Sequence, residues 1–559
     1  MYLGIDVGGT HTDGAGLDEN FEIIRTVKIP TRSADIPGSL AEALGRLLAG
    51  GDPARVRRLA VSSTLGLNAI LTGQADRVGV LAGGGPGLPV EYFGAGPLYE
   101  PLSGLQNHLG EILVPQNPAE AREAAARLLE QGAEAFAVIS KFGPKNPEAE
   151  IIMAEAVRAV APDKPLTAAG RLVGRLNFPR RLNTAVFNSA VSRLYENFIR
   201  DLAAAARDFG LTCPLRLLTA DGGALSPEEA LAKPALTLAS GPAAGLLGLW
   251  SLAGLTGDAL MVDIGGTSTD LAIVADGRPL TTAEGLEIAG QPTLIRAFLT
   301  RSLALGGDLG LELQAGRVGF AARREGPALA LSPEEEAGRR PPTFTDALNV
   351  LGLTQVGRTD ISRRALAGLD PGSTPEATAN LALNRALELI GRAARDFLGQ
   401  ANSRPIYTLG AIRLARPVQP TRAAFLGGPA EALARPVAEA LGLKAVIPPY
   451  AALANAIGAA RSRPSPTAEL YADTALGTWS IPALGLSKAI GHDYTLARAE
   501  TDILAALKDA LAGLPEAGPP QVTEAESFNQ LTGRGRADKV IRVRAQARPG
   551  FLGLKEADS

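Results

Sequence analysis

The chain has 559 residues, of which 46% are hydrophobic, 20% charged and 4% aromatic, so it can bury large cores, is not disordered and divides into several domains. Lys plus Arg number 55 and Asp plus Glu 58, a formal charge of −3, which provides no strong field for nucleic acid or anionic lipid. One Cys (Cys213) and three His (His11, His108, His492) rule out an internal disulfide and leave too few ligands for a zinc or iron–sulfur cluster within one chain, which fits a reducing cytoplasm.

The N-terminal MYLGIDVGGT has neither a basic n-region nor a long apolar h-region, so no secretion signal is expected. Its apolar run meets paired glycines at Gly8 and Gly9, which predicts a strand, a tight turn and a returning strand. Residues 117–120 (NPAE) predict an N-cap, a first-turn proline and a capping-box glutamate, opening a helix that stops near Gly132. Residues 135–139 read as a buried strand, with Lys141 beyond its end as a solvated side chain; residues 194–209 read as an amphipathic helix. Leu215–Leu218 reads as the strand that begins a second lobe. Residues 234–257 form an uncharged run long enough for a membrane span, but Pro234, Thr237, Ser240, Gly241 and Pro242 and a low mean hydropathy point to a closely packed helix of a soluble protein. Residues 261–270 (MVDIGGTSTD) then repeat residues 4–13 (GIDVGGTHTD) in the frame D-[VI]-G-G-T-x-T-D, a second hairpin. Residues 321–345 read as an exposed loop and residues 378–400 as a strong helix. After Arg463-Pro464-Ser465-Pro466 a C-terminal module holds a helix at about 496–511 and a strand at 539–547, with Arg542, Arg544 and Gln546 on a solvated face. Alternating strands and helices predict an α/β architecture.

Paired glycines let a phosphate approach backbone N–H groups, and the threonine hydroxyls add donors. Asp6 and Asp263 can hold Mg2+ directly or through water, because that ion takes only one or two protein carboxylates beside phosphates. Two opposed copies would clasp the β- and γ-phosphates of a nucleotide. An ordinary tight turn competes with this reading for one copy and becomes a minor one for two. No Gly-Lys pair exists, so a P-loop is ruled out.

The two hairpins resemble phosphate motifs 1 and 2 of the actin, sugar-kinase and heat-shock chaperone ATPase superfamily. Their wording resembles the hydantoinase/oxoprolinase family, N-methylhydantoinase A type. The resemblance covers most of residues 1–460 and is carried by residues 6–13, Asn68-Ala69, 183–188, Asp221-Gly222-Gly223, 240–245, 263–270, Leu305-Gly306-Gly307-Asp308, 342–347 and Gly427-Gly428-Pro429. It implies two ribonuclease-H-like (actin-like ATPase) lobes around a nucleotide cleft. The expected domains are 1–200 with an inserted α/β segment at about 80–180, 201–463, and an α+β module at 464–559.

The activity implied is ATP-dependent hydrolysis of a cyclic amide or related carbonyl compound, activated by phosphorylation from Mg-ATP. A small-molecule kinase, an ATP-dependent carboxylase subunit and a non-enzymatic regulatory ATPase are the alternatives. Asp6 and Asp263 are expected at Mg2+. Gly8, Gly9, Thr10, Thr12, Gly265, Gly266, Thr267 and Thr269 are expected at phosphate with Gly306 and Gly307, and Gly427 and Gly428 beside adenosine. Asp13 and Asp270, grouped with Asp6 and Asp263 as catalytic, either act as base and orienter or bond hairpin amides. The implied partners are a small-molecule substrate and a large hydantoinase B-type subunit, with self-association open, no nucleic acid and no membrane, in the cytoplasm. The sequence departs from the family on the substrate side: Val61-Ser62-Ser63-Thr64 lacks the family's histidine, and Asp308 adds a carboxylate near the expected phosphates. His11 reads as a structural histidine and Cys213 as a small buried hydrophobe.

Overall fold

The computed structural model describes all residues except 33, 95–97, 283, 315, 325, 334–338, 404–415, 532–536 and 555–559. Two compact units emerge, one made of Met1–Ala244, Thr282–Ala297 and Ala459–Ser559, the other of Gly245–Thr281 and Phe298–Gly458.

In the first unit, Tyr2–Val7 is buried from Leu3 onward and forms the centre of a six-stranded mixed sheet. It pairs antiparallel with His11–Leu17 and parallel with Arg58–Ser63. An entirely buried strand such as Arg58–Ser63 suits a sheet covered on both faces. Helix Ile36–Leu48, whose N-cap Asp35 accepts from the Gly38 amide at 2.8 Å, and the 31-residue helix Phe178–Asp208 supply Leu40, Leu44, Leu47, Val191 and Leu202 to the core beneath Leu3 and Ile5. The helix expected at 194–209 is therefore the second half of a longer one. Leu215–Leu218 does not begin a separate sheet: it pairs in parallel with Arg58–Ser63, where its apolar residues extend the first core.

A second sheet of this unit holds Val78–Gly84, Tyr99–Gln106, Ile112–Val114, Ala135–Ser140 and Leu166–Ala168, packed against helices Pro118–Glu130 and Glu148–Val160. Asn117 caps as expected, accepting from Ala119 and Glu120 amides, but Glu120 turns away and bonds Ser103 instead of closing a capping box. Lys141 is not solvated. It is 7% exposed and donates to the Gly85 and Pro86 carbonyls at 3.1 and 2.9 Å and also to that of Leu88, because the glycine-rich turn brings orphan carbonyls to the strand end.

The C-terminal five-stranded sheet also belongs to the first unit, with helix Leu496–Ala510 on one face. Strand Ala537–Ala547 lies between Thr467–Asp473 and Pro520–Leu531. Its arginines are not solvated: Arg542 bonds Glu469 at 2.7 Å and Arg544 bonds Glu524 at 3.2 Å, both arginine side chains about 15% exposed. A central strand presents its second face to carboxylates on both neighbours, and cross-strand pairing replaces water.

The second unit is built on a six-stranded sheet in which Ala259–Ile264 pairs antiparallel with Thr269–Ala275 and parallel with Arg422–Leu426. Helix Pro375–Asn402, capped by Thr374, extends past the expected 378–400 and packs with Ala430–Leu441 over the apolar face. Only part of 321–345 is exposed loop. Arg317–Arg324 pairs with Leu309–Gln314, and Leu329–Leu331 is fixed because buried Asp346 accepts from the Leu329 and Ala330 amides; residues 325 and 334–338 lie outside the described residues. Helix Ser240–Ala253 packs closely enough that a Cβ on Gly248 would overlap the Ala454 carbonyl. Among the described residues no helix is long and apolar enough to cross a membrane.

Candidate functional site

Both repeats fold into the same object. In the first, Asp6 stands opposite Asp13, and the Gly8 amide donates to the His11 carbonyl at 3.1 Å. In the second, Asp263 stands opposite Asp270, and the Gly265 amide donates to the Ser268 carbonyl at 2.8 Å. One glycine amide of each pair therefore closes the turn. Among the described residues, no protein acceptor takes the amides of Gly9 and Thr10 or of Gly266 and Thr267, which leaves consecutive donors at each bend. Gly9, Thr10 and Thr267 are exposed, so their donors are open to solvent. Thr12 and Thr269 point inward, Thr12 to the Thr31 hydroxyl at 2.9 Å and Thr269 to the Leu305 carbonyl at 2.7 Å. They brace the strands, and the outer threonines face solvent.

Around the first bend, Ser62 donates to Asp6 Oδ1 at 2.6 Å, from the position directly beside Asp6 in the parallel pair. A Cβ on Gly9 would lie 3.5 Å from the Asn68 amide nitrogen, and one on Gly241 would meet Thr64 and come within 3.8 Å of Asp6. The stretch at 61–64, Asn68 and Gly241 thus gather at this hairpin. His11 is exposed at the bend, where its carbonyl rather than its ring holds the turn. Cys213 is half-buried at the edge of the first core, and burial pushes its thiol up.

The second bend carries a second layer. Gly307 and Asp308 amides donate to the Gly265 and Gly266 carbonyls at 3.0 and 2.7 Å. A Cβ on Gly306 would overlap the Gly266 backbone, and one on Gly307 would lie 2.6 Å from Thr345 Oγ1 and 2.8 Å from Pro429. Gly427, at the end of strand Arg422–Leu426, has φ +98°, and a Cβ there would overlap the Ile264 carbonyl and lie 3.0 Å from Asp263. Gly428 faces open space. The residues of the second unit assigned to metal, phosphate and adenosine are thereby brought together: Asp263, Asp270, Gly265, Gly266, Thr267, Thr269, Gly306, Gly307, Gly427 and Gly428. Asp6, Gly8, Gly9, Thr10, Thr12 and Asp13 gather in the first. Asp308 lies over Gly266 and pairs with Arg324 at 2.7 Å, so the added carboxylate arrives with its own cation.

The two closing aspartates differ. Asp13 faces Lys28 across the next strand and accepts its ammonium at 2.9 and 3.0 Å. At the matching register position Asp270 faces Ser302. Burial pushes the Asp270 carboxyl above the ordinary range, and the Ser302 hydroxyl opposes this only in part. Sequence periodicity did not single out Ser62, Lys28 or Ser302. Ser62 stands in the sequence only within a departure from the family's wording.

The hydantoinase/oxoprolinase family model matches residues 181–466, and that of the hydantoinase/oxoprolinase N-terminal region matches residues 2–161. The chain belongs to the hydantoinase/oxoprolinase family. Within the family, it is 26% identical over 310 residues to caprolactamase subunit alpha of Pseudomonas jessenii, covering 49% of this chain and 44% of the relative. It is 24% identical over 342 residues to the acetone carboxylase beta subunit of Xanthobacter autotrophicus, covering 54% and 46%. The chain therefore spans about half the length of these curated relatives. The crystal structure of the ATP-dependent caprolactamase from Pseudomonas jessenii matches with a TM-score of 0.71 at 18% identity, over 99% of this chain and 88% of that one. The chain has that fold.

Proposed function

We propose that this chain is the nucleotide-using subunit of an ATP-dependent enzyme that opens a cyclic amide or acts on a related carbonyl compound. The observation that carries the reading is the pair of register-matched hairpins, each presenting consecutive unpartnered amides beside a carboxylate. Such bends fit phosphate oxygens, and a bulky side chain at Gly9 or Gly266 would fill the approach. Asp6 and Asp263 are the residues we assign to Mg2+. Among the described residues no three His, Cys, Asp or Glu side chains cluster as a self-contained metal site, and Mg2+ beside phosphates needs only one or two carboxylates. ATP, when bound, supplies a phosphoryl group that turns a resonance-protected carbonyl oxygen into a leaving group. The chain's share is positioning. Glycine and threonine amides hold phosphate, Ser62 orients Asp6, and Gly427 lets the backbone approach Asp263. Asp270 holds a proton at its carboxylate oxygen more tightly than an ordinary aspartate, and we assign it the role of general base. Asp13, neutralised by Lys28, orients.

The subunit names of the two relatives support a partner subunit, and the scarcity of cysteine supports a cytoplasmic setting. The similarity to an acetone carboxylase subunit favours one second reading, ATP-dependent carboxylation of a ketone. Turnover of Mg-ATP by the purified chain, alone and with its partner subunit, against hydantoins, 5-oxoproline, other lactams and ketones with bicarbonate separates the two. A ring-opened amide with free phosphate supports hydrolysis, and a new carboxylate supports carboxylation. Neither binding nor hydrolysis of Mg-ATP in any arm would overturn both.

A further inference from the structure

A cavity of about 370 Å³ lies within the first unit and contains no hairpin residue. It is bounded by helix Glu148–Val160, strand Leu166–Ala168, the short helix Ala169–Leu172, one turn of helix Phe178–Asp208 and the residues that end helix Pro227–Ala232. Three cationic side chains line it: Arg158, Arg171 and Lys233. Among the described residues none of the three forms an ion pair. Arg158 shares a helix face with Ala154 and Ile151, four and seven residues earlier, which places it over an apolar wall.

Two carboxylates also line the cavity, Glu150, whose charge acts on Arg171, and Glu155, so the three cations outnumber the acids by one. Glu150 is 1% exposed, and both its oxygens are taken, by the Ser140 amide at 2.9 Å and the Gly170 amide at 2.8 Å; burial also pushes its carboxyl up. Glu155 is exposed. Burial lowers the Lys233 ammonium from its ordinary value, with Glu229 one helical turn back opposing. An ammonium in that position gains from an anion entering the cavity. The floor is polar and already fixed: Asn188 donates to the Thr167 hydroxyl at 3.0 Å and accepts from the Ala235 amide at 3.1 Å, and Ser189 also donates to Thr167 at 2.7 Å. Asn188 belongs to the 183–188 stretch that carries the family resemblance and that the hairpins leave without a role.

We propose that this cavity is a binding site for a small organic or phosphorylated anion with at least two negative charges, held by Arg158, Arg171 and Lys233 against the Ile151 and Ala154 wall. The volume admits a small metabolite. Dicarboxylates and phosphate esters share the required chemistry. The site stands on its own whether or not the chain uses ATP.

The test is equilibrium binding by the full chain, without nucleotide, of succinate, glutarate, citrate, inorganic phosphate and pyrophosphate. Binding of at least one of these anions, weakened at least about tenfold in Lys233→Gln and in Arg171→Gln, is the expected result. Lys164→Gln, on the same unit but outside the lining, should bind as the parent does. Preference for the carboxylate or the phosphate series identifies the source. Because Lys233 is partly buried, Arg158→Gln at an exposed position repeats the test in a chain whose folding is not at stake. The proposal falls if no anion binds, or if an anion binds with parental affinity to all three variants, since that binding would then lie at the hairpins or the general surface.

Discussion

The two hairpins share a backbone and differ in what stands behind it. The first sets its closing aspartate against Lys28, the second against Ser302, at the same register position. One carboxylate is neutralised by a half-exposed ammonium, the other has only a hydroxyl opposite it. A repeated motif therefore specifies a shape twice without fixing the electrostatic setting of its closing carboxylate. The flanking strand, outside the motif, gives the two closing aspartates different partners.

The largest expected effect tests what the hairpins share. Asp6→Ala and Asp263→Ala should each reduce Mg-ATP turnover by about 10³-fold while circular dichroism shows the fold intact. Parental turnover in either variant would remove that hairpin from the site. Next comes the difference. Asp270→Asn should reduce turnover by about 10²-fold, whereas Asp13→Asn should change it only a few-fold. Equal losses would end the distinction.

Stability should move in opposite directions for the same pair. The Asp270 carboxyl binds its proton more tightly folded than unfolded, so its contribution is present below the ordinary aspartate range and is lost as pH rises through the raised value. Thermal melts at neutral pH should therefore show Asp270→Asn above the parent, with less loss of stability between acid and neutral pH. Asp13→Asn should fall below it by about 1 kcal/mol at most, because Lys28 is 47% exposed and water screens the pair. A finer test exchanges the backing residues. Ser302→Lys should draw the Asp270 carboxyl down and move the acid limb of the pH–rate profile to lower pH. Lys28→Ser, the smallest change, should leave that profile within experimental scatter.

Features written in neighbouring residues were legible in the sequence. Both hairpins, the Asn117 cap and the central helix follow from local spacing, and the glycines at 306, 307 and 427 lie against the second hairpin. Features depending on partners distant along the chain were not. Lys141 reads as an ordinary surface lysine until the turn 53 to 56 residues earlier places three carbonyls over it. Arg542 and Arg544 have the alternation of a solvated strand face, and only the register of two neighbouring strands supplies Glu469 and Glu524. Glu120 meets the rule for a capping box yet lies within reach of Ser103, a competitor the rule does not include. The roles of Lys28 and Ser302 were hidden for the same reason, since strand register is a tertiary property.

Arg58 is 1% exposed on a central strand of the first sheet, and its guanidinium is held by the Ala460 carbonyl and by Glu516 at 2.9 Å. Those partners are 402 and 458 residues further along. During synthesis at about 5–20 residues per second, the strand waits roughly 20–90 s with a cation aimed into an apolar core before its counterion emerges. The first unit to leave the ribosome is thus the last to be completed. Nascent chains halted near residue 450 should remain open to protease at residues 1–60, and chains released past residue 520 should be protected there.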